Sequence, residues 1–246
     1  MATFNDEGVV LRTHKLGEAD RIITVLTRQH GKVRAVAKGV RRTLSRFGGR
    51  LEPFSQIDLQ IVEGRSLGII TQAVSRQLFG QALLTDYSRY TAAEAMVETA
   101  DRLVEQENEP ALQQYWLLVG ALRALGGGTS DGPRPAAMIL DSYLLRALAV
   151  AGYAPVLAGC AICRRPDRAD FFSPQAGGLV CSRCRPAGSA AVSPTAQAYL
   201  GALVAGDWDA TRTIPDRIQH ETSGLIAAFA NWHLERGLRS LRHVVR

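Results

Sequence analysis

Gln56-Ile57-Asp58-Leu59-Gln60-Ile61 alternates polar and apolar residues without a break, and a period of two is the pattern of a half-buried β-strand. Val9–His14, Asp20–Thr27, Lys32–Lys38 and Gly68–Val74 share its richness in β-branched and aliphatic residues. Gly17, Gly31, Gly48-Gly49 and Gly64 fall between these runs, where turns belong. Five short strands in roughly seventy residues predict a small closed or nearly closed barrel.

The pattern changes near residue 80. From 81 to 106 apolar residues recur at helical spacing (Leu83, Tyr87, Tyr90, Ala93, Val97, Ala100, Val104), with acids on the opposite face. Pro110 opens a second helix running through Trp116 to Leu125, and the Gly126–Pro133 connector stops it. Further helices are expected over Ala136–Ala151, Pro194–Val204 and Ile218–Leu238. Residues 155–192, rich in Gly, Pro, Cys and Arg, read as neither helix nor strand. The expected class is α+β in two domains: a barrel over residues 1–80 and a helical domain over 81–246 with a cysteine-bearing insert at 155–192.

An apolar fraction of 46% and a charged fraction of 21% suit an ordinary globular protein, and no apolar run is long enough to cross a bilayer. The polar, acidic start (Asn5-Asp6-Glu7) is unlike a secretory leader, so a cytoplasmic location is expected. The net charge of +6 is unevenly placed. Residues 1–80 hold 13 Lys/Arg and 7 Asp/Glu, whereas residues 81–246 hold 16 of each. An excess confined to one domain points to a polyanion partner for that domain.

Between Arg28 and Arg50 lie Lys32, Arg34, Lys38, Arg41, Arg42 and Arg46, with no Asp or Glu. Lys32, Arg34 and Lys38 share one face of the expected strand, while Val33 and Ala35 face the barrel interior. The Gly39–Gly49 loop adds Arg41, Arg42 and Arg46. A basic strand face leading into a basic loop suits a phosphate track, and Phe47 and Phe54 are candidate stacking platforms for unpaired bases.

All four cysteines lie in Cys160-Ala161-Ile162-Cys163, a 17-residue spacer, and Cys181-Ser182-Arg183-Cys184. Paired CxxC knuckles match a tetrahedral thiolate zinc site, with Phe171, Phe172, Leu179 and Val180 as a miniature core beneath it. Disulfides need an oxidising compartment, a redox CxxC usually stands alone in a βαβ unit, and iron–sulfur clusters usually use other spacings. Four protein ligands leave no open position, so the role expected of one zinc ion is structural. Arg164, Arg165, Arg168, Arg183 and Arg185 around it are either a solvated surface or a second contact.

No phosphate loop, nucleophile elbow or zinc-protease helix occurs, and the five histidines are scattered, so no catalytic residue is nominated. Two alternatives stay open: a zinc-containing DNA nuclease or glycosylase drawing on Glu18, Asp20, Glu52 or Asp58, and a protein-interaction scaffold.

The stretch Gly17-Glu18-Ala19-Asp20-Arg21-Ile22-Ile23-Thr24-Val25-Leu26-Thr27, followed by His30-Gly31-Lys32-Val33-Arg34-Ala35-Val36-Ala37-Lys38-Gly39-Val40-Arg41-Arg42, resembles the start of the bacterial RecO recombination mediators. So do Ser45-Arg46-Phe47, Gly49-Arg50-Leu51-Glu52-Pro53-Phe54 and Gly64-Arg65-Ser66-Leu67-Gly68. Across 81–246 the resemblance rests on the order of helices, cysteines and basic tail. It implies an N-terminal OB-fold, a helical domain and an attached zinc finger. It also implies binding to single- and double-stranded DNA and annealing of complementary strands. The implied partners are RecR and the C-terminal tail of single-stranded-DNA-binding protein, with help to RecA in loading onto coated DNA. Charge pattern and motif position together nominate Lys32, Arg34, Lys38, Arg41, Arg42, Arg46 and Arg50 as DNA contacts, with Lys15 and Arg21 in second rank.

Overall fold

The structure is a computed structural model that describes residues 2–79, 83, 85–166, 169–234 and 237–245. Strands β1 (Thr3–Leu16), β2 (Asp20–Thr27), β3 (Gly31–Ala37), β4 (Ser55–Val62) and β5 (Gly68–Leu78) close in the order β1-β2-β3-β5-β4. Every pairing is antiparallel except β3 with β5, which meet in parallel at Ala35–Gly68 and Val36–Ile69. This is the five-stranded Greek-key barrel of the OB-fold. Alternate residues fill it, as the period of two requires: Val33, Ala35 and Ala37 from β3, and Ile57, Leu59 and Ile61 from β4. Phe47 and Leu51, from the β3–β4 connection, join the same core.

β1 starts six residues before the expected strand because its acids find hydrogen-bond and ion-pair partners inside the fold. The buried Asp6 carboxylate accepts from the backbone N–H of Gln29 and His30 (3.0 and 3.2 Å) and lies 2.7 Å from His30 Nδ1. Glu7 pairs with Arg28 and Arg76. Partners on three sides replace the water these carboxylates lose.

Because β3 meets β5 at only two positions, its first residues have an edge to cover. The segment after the first helix covers it: Asn108 N–H donates to the Lys32 carbonyl at 2.9 Å, and Glu107 bridges to Lys32. Gly31 permits the approach. Its φ is +64°, and a Cβ there would sit 1.7 Å from the Glu109 carbonyl oxygen. Replacing Gly31 by Ala must therefore push this segment off the strand. We expect a loss of at least ~2 kcal/mol of stability in urea denaturation.

Helix α1 (Tyr87–Leu103) is capped by Asp86, whose carboxylate accepts from the N–H groups of Ser88 and Arg89. The hydrogen bond from the Ser88 side chain is the largest of the effects holding the Asp86 pKa below its ordinary value. The expected start of this helix falls partly on residues 80–82 and 84, which lie outside the described residues. Helix α2 (Leu112–Gly127) presents Tyr115, whose hydroxyl accepts from Gln56 Nε2 at 3.2 Å, and Phe54 meets Tyr90 edge-on. Burial pushes the Tyr115 phenol up to about 12. The pattern change near 80 marks the end of the barrel, whereas the first compact unit runs to Gly126 and includes these helices.

The second unit, Gly127–Arg246, holds α3 (Ala136–Val150), α4 (Pro194–Ala205) and α5 (Asp216–His233). Ser193 caps α4 with Pro194 at its first position, and a left-handed Gly206 ends it. Residues 155–192 depart from the sequence reading. They contain a sheet of β6 (Phe171–Ser173), β7 (Gly178–Val180) and β8 (Ala190–Ala191), in the order β7-β6-β8. Strands of two or three residues are too short to print a period. Among the described residues no helix is long and apolar enough to cross a membrane.

Candidate nucleic-acid interface and metal centre

The basic stretch divides between two ends of the barrel. At the β2–β3 hairpin end each cation meets an acid. Lys32, its side chain 10% exposed, lies 3.4 Å from the Asp101 carboxylate. Its Nζ also donates to the Asp101 carbonyl at 2.8 Å. Arg12 binds the same carboxylate at 2.7 Å, and Arg34 reaches Glu107 at 3.2 Å. Arg28 pairs with Glu7 and lies over the Trp116 ring. The expected alternation along β3 is present, but Lys32 is buried against Asp101 and the partly exposed Arg34 is paired with Glu107, so neither cation is unpartnered. The sequence missed this because Asp101 and Glu107 lie some seventy residues downstream.

At the opposite end the cations face water. Lys15 pairs across the strands with Arg21, and Arg21 with Ala37, which sets the β1–β2 turn beside the end of β3. Lys38, Arg41, Arg42, Arg46 and Arg50 follow on the connection to β4, all exposed, as is Lys15. Arg41 ties the two loops together: its N–H donates to the Ala19 carbonyl at 2.9 Å, and its guanidinium to those of Glu18 and Gly17 at 2.8 and 3.3 Å. Arg50 donates to the Arg46 carbonyl at 2.7 Å, and Arg46 lies over the Phe47 ring. Of these, among the described residues, only Arg21 forms an ion pair, with Glu52 at 2.7 Å. Six cations without a carboxylate partner among the described residues, on the end of β1 and on the β3–β4 connection, form a local positive field.

The nearby acids are mostly engaged. Asp20 accepts from the Gly39 N–H at 2.7 Å, Glu52 holds Arg21, and Asp58 holds Arg76. One expectation is corrected. Phe47 and Phe54 are 1% and 3% exposed and serve the interior, so neither offers a ring to a base. Apolar burial outweighs stacking for a phenyl ring that can reach the core.

The division also predicts how variants behave. Lys32→Ala strips a half-desolvated carboxylate of one of its two cations, so it should cost about 1–3 kcal/mol of stability. The affinity of the folded fraction for single-stranded DNA should change by less than about two-fold. Thermal melting and oligonucleotide anisotropy, measured side by side, check both.

The four cysteines come together as the spacing predicts. None is paired in a disulfide, and their Sγ atoms lie within 4.8 Å of one another, Cys163 and Cys181 at 4.0 Å. Tetrahedral coordination at zinc–sulfur lengths needs sulfurs about 3.8 Å apart, so this set fits a metal ion with little adjustment. Each knuckle is a backbone turn: Arg164 N–H donates to the Cys160 carbonyl, and Cys184 and Arg185 to that of Cys181. Backbone donors, first the Cys163 N–H and then that of Cys181, pull the Cys160 thiol down to about 6. Its hydrogen bond with the Cys181 sulfur, then burial, pushes Cys184 up to about 12.

Phe172, Leu179 and Val180 are buried beneath the knuckles, and Arg185 lies over the Phe171 ring at 4.3 Å. Gly178 holds the turn against Val156, where a Cβ would meet the Val156 carbonyl oxygen at 2.3 Å. Arg164, Arg165 and Arg183 are exposed, and Arg168 lies outside the described residues.

Residues 1–79 match the family model described as Recombination protein O N terminal, and residues 84–242 that described as Recombination protein O C terminal. Proteins described as DNA repair protein RecO are similar along the whole chain. That of Cutibacterium acnes is 54% identical over 241 residues, covering 98% of each chain. That of Thermobifida fusca is 55% identical over 246 residues and covers all of both. That of a Nocardioides species is 56% identical over 246 residues, 99% of each.

Proposed function

Because the chain belongs to the RecO family of DNA repair proteins, we propose that it is a recombination mediator that binds single- and double-stranded DNA and anneals complementary strands. With RecR it helps RecA load onto DNA coated by single-stranded-DNA-binding protein. The observation that carries this reading is the separation of charge on the barrel: cations are neutralised at one end and left open on two loops at the other. OB barrels meet oligonucleotides through the face of strands 2 and 3 and the β1–β2 and β4–β5 loops, and here Arg41 ties the basic β3–β4 connection to the β1–β2 turn. Lys15, Lys38, Arg41, Arg42, Arg46 and Arg50 are placed to hold phosphates, with Arg21 beside them. Lys32 and Arg34 act in holding the fold.

Annealing follows from electrostatics. Two strands repel through their phosphates, and a surface that neutralises both lowers that barrier while leaving base edges free to pair. Binding to DNA belongs to the barrel, residues 1–80. Meeting RecR and the tail of single-stranded-DNA-binding protein belongs to residues 81–246. The cysteines hold one zinc ion in a structural finger over residues 155–192, a site with no position left for water. The protein works in the cytoplasm, where thiolates persist.

The test is direct. The intact protein, mixed with two complementary oligonucleotides and no nucleotide triphosphate, should speed their pairing at least ten-fold at low salt. Mg²⁺ should yield no cleavage product. Cleavage would favour a nuclease, and binding to RecR without binding to naked oligonucleotide would favour a scaffold.

A further inference from the structure

The basic loop carries at its tip a residue that charge alone does not explain. Leu44 is 96% exposed, whereas the other exposed large hydrophobics lie between 39% and 64%. Single apolar side chains at a surface are common and call for no function. Leu44 differs in its setting. Arg41 and Arg42 precede it, Arg46 follows it, and all three are exposed.

The loop is also held from below. Phe47 and Leu51, each 1% exposed, plug the barrel end just after the tip. Successive turns fix the approach: Arg42 N–H to the Gly39 carbonyl, Ser45 N–H to that of Arg42, and Phe47 N–H to Ser45 Oγ at 3.2 Å. Arg41 anchors the loop's first half to the β1–β2 turn. An apolar side chain is thus presented to water from a built support, which lowers the ordering cost of using it in binding.

We infer that Leu44 is a base-contacting wedge: the arginines beside it hold the phosphates of a strand while Leu44 packs against the faces of unpaired bases or enters the step where single strand meets duplex. Leucine is among the side chains that proteins insert between base steps. Base faces are open on a single strand and at junctions, whereas reaching them inside an intact duplex costs about a few kcal/mol of unstacking per step. Leu44 therefore gives a phosphate-binding surface a preference for unpaired DNA, which the buried Phe47 and Phe54 cannot supply. This inference rests on the proposed DNA grip. A lipid surface would also accept cations around a leucine, but the tip offers one apolar residue and no amphipathic helix.

The experiment compares the wild-type protein with Leu44→Ser and Leu44→Met, after thermal melting has established that all three fold alike. Anisotropy is read with oligo-dT, with a blunt duplex and with a single-strand/duplex junction over a salt series. A 2-aminopurine oligonucleotide reports unstacking. We expect Leu44→Ser to bind oligo-dT and the junction about five- to ten-fold more weakly, and the duplex less than two-fold more weakly. Leu44→Met should be near wild type. The slope of log K against log salt should not move, because no charge is lost. Wild type should raise 2-aminopurine emission, and Leu44→Ser should not.

Unchanged affinity for all three DNAs, or an equal loss on all, overturns the wedge while leaving the phosphate grip standing. Failure of the wild type to bind any DNA overturns the grip and the wedge together. Phosphatidylglycerol vesicles are tested alongside: if Leu44→Ser loses vesicle binding while its affinity for all three DNAs is unchanged, the tip is a lipid contact and the inference is wrong.

Discussion

Replacing Arg41, Arg42 and Arg46 together by Ala should weaken single-stranded DNA binding at about 50 mM salt by roughly a hundred-fold or more. Each phosphate contact on a single strand contributes about 0.7 to the slope of log K against log salt, so removing three should flatten that slope by about 2. The loss should be similar for every sequence, because phosphate contacts position a strand without reading it. The variant should fold normally. All three are exposed; Arg46 gives up its contact over the Phe47 ring, and Arg41 its bonds to the Gly17 and Glu18 carbonyls, while the Arg41 N–H keeps the Ala19 carbonyl. A loss that depends on sequence would mean base readout instead. An unchanged slope would mean that the loop is basic but idle.

The second large effect concerns the cysteines. The purified protein should contain one zinc ion per chain, and a strong chelator, or Cys160→Ser with Cys181→Ser, should unfold residues 155–192. Structural zinc sites of this kind contribute on the order of 10 kcal/mol, comparable with the whole stability of a domain. The short strands β6, β7 and β8 have little to replace it. Hydrogen exchange should rise sharply through Phe171–Ser173 and Gly178–Val180, and remain slow in β2 and β3. Elemental analysis reads the metal. Iron with visible absorbance would make this a cluster protein, and unaltered exchange after metal loss would remove the structural role.

Several features were legible in the residues because their cause is local. Alternation at Ile57, Leu59 and Ile61 declared a strand, and the structure places all three in the barrel core. The paired CxxC knuckles declared a cluster, and the sulfurs converge. What escaped has a distant cause. Asp6 and Glu7 look like a solvated tail, yet Arg28 and Arg76 pair with Glu7, and the Gln29 and His30 N–H groups and the His30 ring hold Asp6, inside the fold. Lys32 and Arg34 look like an open basic face until Asp101 and Glu107 arrive from after the barrel. Phe47 and Phe54 have the right chemistry to stack on bases, and only burial shows that the core has taken them. A run of cations in sequence is not a surface until its counter-charges are known.

Crosslinking to a single strand tests the proposed DNA grip most directly. The intact protein should be photo-crosslinked to a bromouracil-substituted single strand and the modified peptides mapped by mass spectrometry. The charge separation on the barrel predicts crosslinks within residues 15–21 and 38–50, with residues 28–34 unmodified. Crosslinks concentrated at 28–34, or at the cysteine knuckles with the barrel loops bare, would contradict it.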